Sequence, residues 1–232
     1  MRVLILADIH GNMPALIEIA EKETWDLMIC LGDLVDYGPW PDEVIDFIME
    51  NADYTILGNH DYSLALGGDC GCSPEYVDLT MYSRKATITR INELQRSYLA
   101  SLPEKLEVDI GGNKTHLVHG SVKSPLYGFV APFIDEEAIY REMGDAEGVV
   151  LFGHSHMDMY KELRDDLVIV NPGSVGFPKG NDPRASYVIY ENGRFHQKKL
   201  EYDVEKMVQG LMSMDMPDEI KNILIDSVRE GR

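Results

Sequence analysis

The sequence predicts an α/β fold whose sheet contains parallel strands. Three apolar runs, at residues 3–7, 27–31 and 54–57, have the length and apolar character of buried strands. Two amphipathic stretches, at residues 14–23 and 41–49, separate these runs and predict helices. Alternation of strands with helices is typical of parallel βαβ units, so the first quarter of the chain indicates an α/β sheet.

The beginnings of these helices follow from local chemistry. Asn12 can cap the first helix, and Pro41 stands in the first turn of the second, where proline is tolerated. Residues 61–105 differ from what precedes them, because Pro74 is followed by a long helical pattern from about 75 to 102. We interpret residues 61–105 as an inserted helical segment that serves as a lid.

The second half of the chain predicts further strands. A glycine turn at 111–113 joins the first two of them, and Asp165-Asp166 and Asn192-Gly193 supply later turns. The predicted strands are 105–110, 114–118, 149–152, 160–164, 167–170, 185–191 and 194–200, with a short helix at 135–143. The tail at about 203–232 predicts two acidic amphipathic helices.

Composition limits the classes of partner. The chain of 232 residues is long enough for one large domain with its own core. Its 21 Lys and Arg against 40 Asp and Glu give a formal charge of −19, which repels phosphate backbones and anionic lipid. We therefore expect no stable nucleic-acid binding and no membrane binding. Small anionic substrates stay compatible, because a local cluster of cations can override the distant field.

Cysteine usage and the first residues of the chain bear on location. The chain has three cysteines, Cys30, Cys70 and Cys72. This odd number does not make a disulfide framework, so we expect free thiols in a reducing compartment. The apolar stretch at 3–7 is too short for the core of a signal peptide. We expect a cytoplasmic protein.

Five polar motifs each follow directly after an apolar strand. The carboxyl ends of strands in an open α/β sheet are where ligand sites assemble, so these motifs can converge on one pocket. They are Asp8-Ile9-His10, Gly32-Asp33-Leu34-Val35-Asp36, Gly58-Asn59-His60-Asp61, His119-Gly120 and Gly153-His154-Ser155-His156.

The donor types in these motifs predict a metal centre. Carboxylate, imidazole and amide groups without thiolate suit Mn, Fe, Co, Ni or Zn. Seven candidate ligands exceed the needs of one four-coordinate ion and fit two ions that share a carboxylate: Asp8, His10, Asp33, Asn59, His119, His154 and His156. Two such ions form a clamp for phosphoryl oxygens and can hold a hydroxide between them.

Spacing suggests individual roles. Asp8 and His10 alternate along a segment predicted to be extended, so both side chains can point the same way, and His154 and His156 share that spacing. Asn59 is a neutral oxygen donor that leaves its ion a stronger Lewis acid.

Other polar residues near these motifs have roles outside the ligand set. His60 is the natural proton donor, and Asp61 could hold its imidazolium in place and raise its pKa. Asp36 has two open interpretations, a carboxylate that orients one of the histidine ligands of the metal or a cap or turn residue. Residues 171–176 favour a tight turn packed on the histidine loop, and Arg184 favours a surface ion pair over a phosphate contact.

The ordered set of motifs resembles the calcineurin-like metallophosphoesterase family. The pattern Asp-x-His, Gly-Asp-x-x-Asp, Gly-Asn-His-Asp, His-Gly and Gly-His-Ser-His runs from residue 8 to residue 156. Residues 171–176 and 182–187 are similar to a prokaryotic branch of small members, related to phosphodiesterases, serine/threonine phosphatases and diadenosine tetraphosphatases.

The resemblance implies a fold and a site. The fold would be a four-layer α/β/β/α sandwich of two mixed sheets flanked by helices. One metal would be held by Asp8, His10, Asp33 and His156, and the other by Asp33, Asn59, His119 and His154, with Asp33 bridging. His60 matches the family's catalytic histidine and Asp61 its partner. No ligand position departs from the family's pattern.

We therefore expect a phosphoesterase that uses two divalent ions, with Mn the first choice and Fe, Zn, Ni or Co as alternatives. A phosphodiesterase acting on small molecules or nucleotides, through attack by a metal-bridging hydroxide, is the leading hypothesis. Diadenosine tetraphosphatase and serine/threonine phosphoprotein phosphatase are alternatives within the class, and a protein-binding scaffold of the same fold is a non-enzymatic one. Residues 61–105 and the C-terminal helices are expected to select the substrate. The oligomeric state stays open, with a homodimer as one option.

Overall fold

The computed structural model describes residues 1–73 and 76–232, and over these ranges the chain forms ten strands and eight helices. The strands are β1 (Arg2–Leu6), β2 (Leu27–Cys30), β3 (Tyr54–Thr55), β4 (Lys105–Ile110), β5 (Asn113–Val118), β6 (Gly148–Leu151), β7 (Asp158–Arg164), β8 (Leu167–Pro172), β9 (Ala185–Glu191) and β10 (Arg194–Leu200). The helices are α1 (Met13–Lys22), α2 (Pro41–Asn51), α3 (Asn59–Leu66), α4 (Val77–Arg90), α5 (Glu93–Ser101), α6 (Glu136–Met143), α7 (Val204–Ser213) and α8 (Asp218–Glu230).

The strands form two five-stranded mixed sheets. The first has the order β10-β9-β1-β2-β3 and the second the order β4-β5-β6-β8-β7. Strands β1, β2 and β3 pair in parallel, as do β5, β6 and β8, while the pairs β10–β9, β9–β1, β4–β5 and β8–β7 are antiparallel. The predicted class, two mixed sheets with flanking helices, is confirmed.

Strand β1 shows why the sheets stack face to face. Val3 and Ile5 pack into the core shared by the two sheets, whereas Leu4 and Leu6 pack into the core under the helices. A strand covered on both faces reads as a continuous apolar run, and this explains why residues 3–7 show no alternation. Helix α6 covers the far face of the second sheet, with Met143 in contact with its core. The four layers are therefore helices, sheet, sheet and helix.

The helical segment that lies between β3 and β4 in the sequence forms separate helices where one long helix was predicted. The pattern expected from about 75 to 102 forms two helices, because the Asn92 side chain accepts from the N–H of Gln95 and the Gln95 side chain accepts from the N–H of Asn92. This reciprocal cap begins α5 anew. Helix α3 was not predicted, and positions 74 and 75, where the helical pattern was expected to begin, lie outside the described residues.

One expectation about the cysteines is wrong. Cys70 and Cys72 form a disulfide, with their Cα atoms 5.3 Å apart, while Cys30 is a buried free thiol. Gly71 between them has φ +66°, a left-handed conformation that turns the chain and brings the two side chains together. Within the described ranges, no helix is both long enough and apolar enough to cross a membrane.

Candidate functional site

The seven predicted ligands converge at the carboxyl ends of strands from both sheets. Loops after β1, β2 and β3 of the first sheet and after β5 and β6 of the second deliver them. All are buried except His154, which is half-buried. The stacking of the sheets therefore closes a polar cluster that no single sheet provides. Its members are Asp8, His10, Asp33, Asn59, His119, His154 and His156.

One half of the cluster lies around His10. Its Nε2 atom is 3.2 Å from Nε2 of His156 and 3.6 Å from Oδ2 of Asp33. The Nε2 atom of His156 also lies 3.6 Å from Oδ1 of Asp8. Ligand atoms of Asp8 and the two imidazoles thus lie within 4.8 Å of one another, with Asp33 beside His10, and this arrangement suits a divalent cation.

The other half lies around His119. Its Nε2 atom is 3.2 Å from Oδ2 of Asp33 and 2.9 Å from Oδ1 of Asn59. That amide oxygen is also 3.0 Å from Nδ1 of His154. The same Asp33 oxygen, Oδ2, therefore faces both halves of the cluster.

The hydrogen bonds of the rings test whether a cation fits. The Nδ1 atoms of His10 and His156 lie 2.7 Å from the carbonyl oxygens of Val35 and Phe177 respectively. A carbonyl only accepts, so each ring carries its proton at Nδ1, and in the neutral ring Nε2 holds a lone pair. Two lone pairs therefore face each other across 3.2 Å. They repel unless a cation lies between them, and the donor set fits one.

Protonation follows burial in three of the histidines. Burial lowers the pKa of His10 to about 4 and that of His154 to about 3. Burial, together with the neighbouring His10, also lowers the pKa of His156 well below its usual value. These rings are neutral at pH 7 and keep a lone pair available to a metal.

The charged partners behave differently. Burial alone would raise the pKa of Asp33, but His119 and His60 hold it well below its usual value, so this carboxylate is ionised. Although burial opposes the change, Asp33 raises the pKa of His119 to about 9. Burial raises the pKa of Asp8 to about 7. Negative charge at the centre is therefore concentrated on Asp33.

The backbone at the site is locally strained. Seven non-glycine residues there have φ between 46° and 66°, a region that costs of order 1–3 kcal/mol per residue. The sequence predicted an extended segment from Asp8 to His10, and this prediction is wrong. The side chains of the two residues meet because the backbone is left-handed at both. The seven are Asp8, His10, Asp33, Asp36, Tyr37, His154 and His156.

His60 lies beside the cluster and is held by Asp36. The Nδ1 atom of His60 is 2.8 Å from Oδ2 of Asp36, and its Nε2 atom is 3.3 Å from the Tyr37 hydroxyl and 3.8 Å from Sγ of Cys72. Burial lowers the pKa of His60, but Asp33 and the hydrogen bond to Asp36 outweigh it and raise the pKa overall. Asp36 therefore orients a histidine, but that histidine is His60 and not one of the predicted metal ligands.

The prediction that Asp61 holds His60 is wrong. Both Asp61 oxygens accept backbone N–H groups instead, from Asp33 at 2.7 Å, Leu34 at 2.9 Å and Gly58 at 3.1 Å. His60 and Asp61 are consecutive residues of α3, and consecutive side chains of a helix point about 100° apart. Asp61 therefore fixes the loop that carries Asp33.

Arg84 on α4 is a contact that sequence reasoning missed. Its guanidinium forms an ion pair with Asp36, with Nε 3.1 Å from Oδ2, and it also contacts Ser63. No local signal marks Arg84, because its partners Asp36 and Ser63 lie 48 and 21 positions away in the sequence. By contrast, Arg184 forms the predicted surface ion pair, with Asp182.

The predicted turn at 171–176 packs on the histidine loop as expected. Asn171 donates from Nδ2 to the carbonyl of Gly153 at 2.7 Å and to Oγ of Ser155 at 3.1 Å. Ser174 donates to the carbonyl of Asp8 at 2.7 Å. These bonds tie the loop after β6 to the loop after β1.

A cavity of about 510 Å³ opens onto the cluster. At its polar end lie Asp33, Asn59, His60, His154 and His156. Its other walls come from the segment before and within α4, from the loop after β5 and from α8. The lining residues on these walls include Cys72, Tyr76, Leu79, Tyr127, Phe129, Ile223 and Leu224.

Comparison with known proteins gives a matching family. Residues 1–193 match the profile of the calcineurin-like phosphoesterase superfamily domain. Uncharacterized protein MJ0912 of Methanocaldococcus jannaschii is 26% identical over 237 aligned positions, which cover 93% of this chain and 94% of that protein. Phosphodiesterase YfcE of Escherichia coli K12 is 24% identical over 83% of this chain and 88% of that protein.

A solved structure shares the fold. A metallophosphoesterase from Sphaerobacter thermophilus superposes with a TM-score of 0.82 at 24% identity, covering 100% of this chain and 99% of that one. The two-sheet arrangement is therefore common to both proteins.

Proposed function

Because the chain belongs to the calcineurin-like phosphoesterase superfamily, we propose that this hydrolase of phosphate esters is a phosphodiesterase of small molecules or nucleotides that uses two divalent cations. The similarity to phosphodiesterase YfcE of Escherichia coli supports a diester substrate. The observation that supports the metal centre is the position of the Asp33 carboxylate between two groups of histidines. In one group the Nε2 lone pairs of His10 and His156 face each other across 3.2 Å.

In this proposal each group of side chains holds one cation. Mn²⁺ is the first choice, because imidazole mixed with carboxylate and amide oxygen suits borderline ions, and Fe, Zn, Ni and Co fit the same donors. Asp33 belongs to both groups. The first group is Asp8, His10, Asp33 and His156, and the second is Asp33, Asn59, His119 and His154.

The protein side chains around the cations orient and protonate the substrate. Two divalent cations held there would lower the pKa of a water between them and polarise the phosphoryl oxygens. Protonated His60 faces the same cavity, where it stabilises charge on the phosphoryl group and donates a proton to the leaving oxygen. Asp36 fixes the His60 ring through Nδ1, so the Nε2 proton points toward the cavity and Tyr37.

The whole chain acts as one phosphoesterase domain in this proposal. The segment 61–105 and the C-terminal helices supply walls of the cavity through residues such as Cys72, Tyr76 and Leu224. Such walls can set the choice of substrate without touching the cations.

Activity of the purified protein on bis-(p-nitrophenyl) phosphate tests the proposal. After removal of metal with a chelator and dialysis, we expect no hydrolysis, and we expect activity to return when Mn²⁺ is added. Hydrolysis that persists in the metal-free protein, or a metal-loaded protein that hydrolyses neither this diester nor any phosphomonoester, would contradict it.

A further inference from the structure

Two aromatic side chains at the mouth of the cavity are left open to solvent. Phe129 is 45% exposed and Tyr127 is 41% exposed, although both line the cavity. They lie on the loop between β5 and α6, close to the proposed metal centre. Aromatic rings exposed beside a polar site cost solvation free energy, so their placement there points to a ligand that covers them.

Phe129 lies close to the proposed metal centre. Its ring centroid is 6.1 Å from that of His154, with the two rings nearly perpendicular at 77°. His154 in turn contacts Asn59. A group attached to a phosphorus atom at the centre therefore reaches Phe129 without a long linker.

Tyr127 is held rigidly at both ends. Its hydroxyl donates to the carbonyl of Asp69 at 2.9 Å. Its ring lies directly against Gly71, where an added Cβ would come within 2.7 Å of the Tyr127 Cδ1 atom. A ring fixed before the ligand arrives loses little side-chain entropy on stacking. The disulfide-bonded turn at Cys70 and Cys72 carries this glycine.

The remainder of the cavity matches a flat, weakly polar group of limited size. Leu79, Phe177 and Leu224 give hydrocarbon walls, and Lys179 lies with its Nζ 4.9 Å from the centroid of the Tyr76 ring. Small-molecule pockets are about 300–1,000 Å³, and the observed 510 Å³ lies within that range. The backbone N–H of Lys179 donates to the carbonyl of His156 at 3.1 Å, so this lysine brings positive charge near the proposed metal centre in an otherwise acidic protein.

We propose that Phe129 and Tyr127 form a stacking platform for the planar base of a nucleoside phosphate, and that they select this substrate class at the proposed phosphodiesterase site. The inference rests on the proposed function and deepens it. An alkyl chain would bury apolar area against the hydrocarbon walls and the two rings but has no planar face to stack on them, and a cavity of about 510 Å³ would admit a phosphoprotein only through its phosphorylated side chain. Stacking of a base on an aromatic ring is sequence-tolerant, so the platform accepts purines and pyrimidines alike.

Direct binding to the Mn-loaded protein tests the platform independently of catalysis. The probes are adenosine 5′-monophosphate and ribose 5-phosphate, which share sugar and phosphate and differ in the base. By calorimetry we expect the nucleotide to bind roughly tenfold more tightly. Phe129→Ala and Tyr127→Ala should each remove most of that ratio while leaving the affinity for ribose 5-phosphate within about twofold.

Phe133 provides a matched control. It is 68% exposed, belongs to the same loop and lies 6.3 Å from Phe129 between ring centroids, but it does not line the cavity. Phe133→Ala should keep the full nucleotide preference. Equal affinities for the two probes in the unaltered protein would overturn the inference, as would octyl phosphate binding as tightly as the nucleotide or an equal loss of preference in Phe133→Ala.

The same preparations distinguish this inference from the proposed function. If bis-(p-nitrophenyl) phosphate is hydrolysed but the two probes bind alike, the platform is wrong and the phosphodiesterase stands. If the nucleotide preference is present and depends on Phe129 but no phosphate ester is hydrolysed, the platform stands and the proposed activity is wrong.

Discussion

The Nδ1 atom of His60 lies 2.8 Å from Oδ2 of Asp36, a fully buried carboxylate. The second partner of Asp36 is the guanidinium of Arg84, whose Nε is 3.1 Å from the same oxygen. One carboxylate therefore bridges the proposed proton donor and a fixed cation. The charge on each partner of His60 sets how strongly the ring holds its proton.

Opposite pH shifts are expected from changes at Asp36 and Arg84. Although burial lowers the pKa of His60, Asp33 and Asp36 raise it overall, and Arg84 lowers it. If protonated His60 is the donor, activity falls as pH rises through that pKa. Asp36→Asn should therefore move the alkaline limb of the pH–rate profile to lower pH, and Arg84→Gln should move it to higher pH.

The pH–kcat profile of each variant, measured with saturating Mn²⁺, checks these directions. Glu18→Gln on the exposed face of α1 is a control for loss of one charge far from His60 and should leave the limb in place. Shifts in the same direction for Asp36→Asn and Arg84→Gln would show that His60 is not the titrating group.

His60→Ala should reduce turnover without emptying the site. Loss of a general acid costs about 10²–10⁴-fold in rate. Ligand atoms of His60, His10 and Asp33 lie within 4.8 Å of one another, but both proposed ligand groups are complete without His60. Steady-state kcat and metal content by mass spectrometry test this in the same sample. A variant that loses both activity and metal would place His60 among the ligands, and the proton-donor role would be wrong.

Asp61→Asn should act on stability and on metal content. The amide nitrogen that replaces one carboxylate oxygen is a donor, so the N–H groups which that oxygen accepted lose their partner: Leu34 if it is Oδ1, or Asp33 and Gly58 if it is Oδ2. Leaving such buried groups unpaired costs about 1–3 kcal/mol. Thermal unfolding should show a lower midpoint, and Mn²⁺ titration should show weaker binding. A variant of normal stability and affinity with a displaced alkaline limb would restore Asp61 as the partner of His60.

Gly58→Ala should displace the proposed bridging carboxylate. Gly58 has φ −89°, which any residue adopts, but an added Cβ would overlap Oδ1 of Asp33. We expect reduced metal content as well as lower stability. Gly112→Ala is the control, because Gly112 has φ +84° with no atom within 4 Å of the added Cβ. That variant should lose stability through backbone strain and keep its full metal content.

The sequence predicts the positions of the site loops well, for a physical reason. Each motif directly follows an apolar strand, and strand ends of a stacked α/β fold meet at one edge, so Asp8, Asn59 and His119 are brought together by topology alone. The partner of His60 was not predictable in this way. Adjacency in sequence favours Asp61, whereas the turn after β2 directs Asp36 to the ring.

The contact between Arg84 and Asp36 could not be predicted from the sequence either. Arg84 on α4 reaches Asp36 from 48 positions further along the chain, and no periodicity in the sequence encodes that approach. The division of the predicted long helix did have a signal. Asn92 followed three residues later by Gln95 is a capping pattern, and it outweighs the continuous helical propensity on either side.

Anomalous diffraction from crystals of the Mn-loaded protein tests the central claim most directly. The claim predicts two anomalous peaks about 3.5–4 Å apart, with the Asp33 carboxylate in contact with both. A single peak, peaks remote from Asp33, or a cluster that stays empty at saturating Mn²⁺ would contradict it.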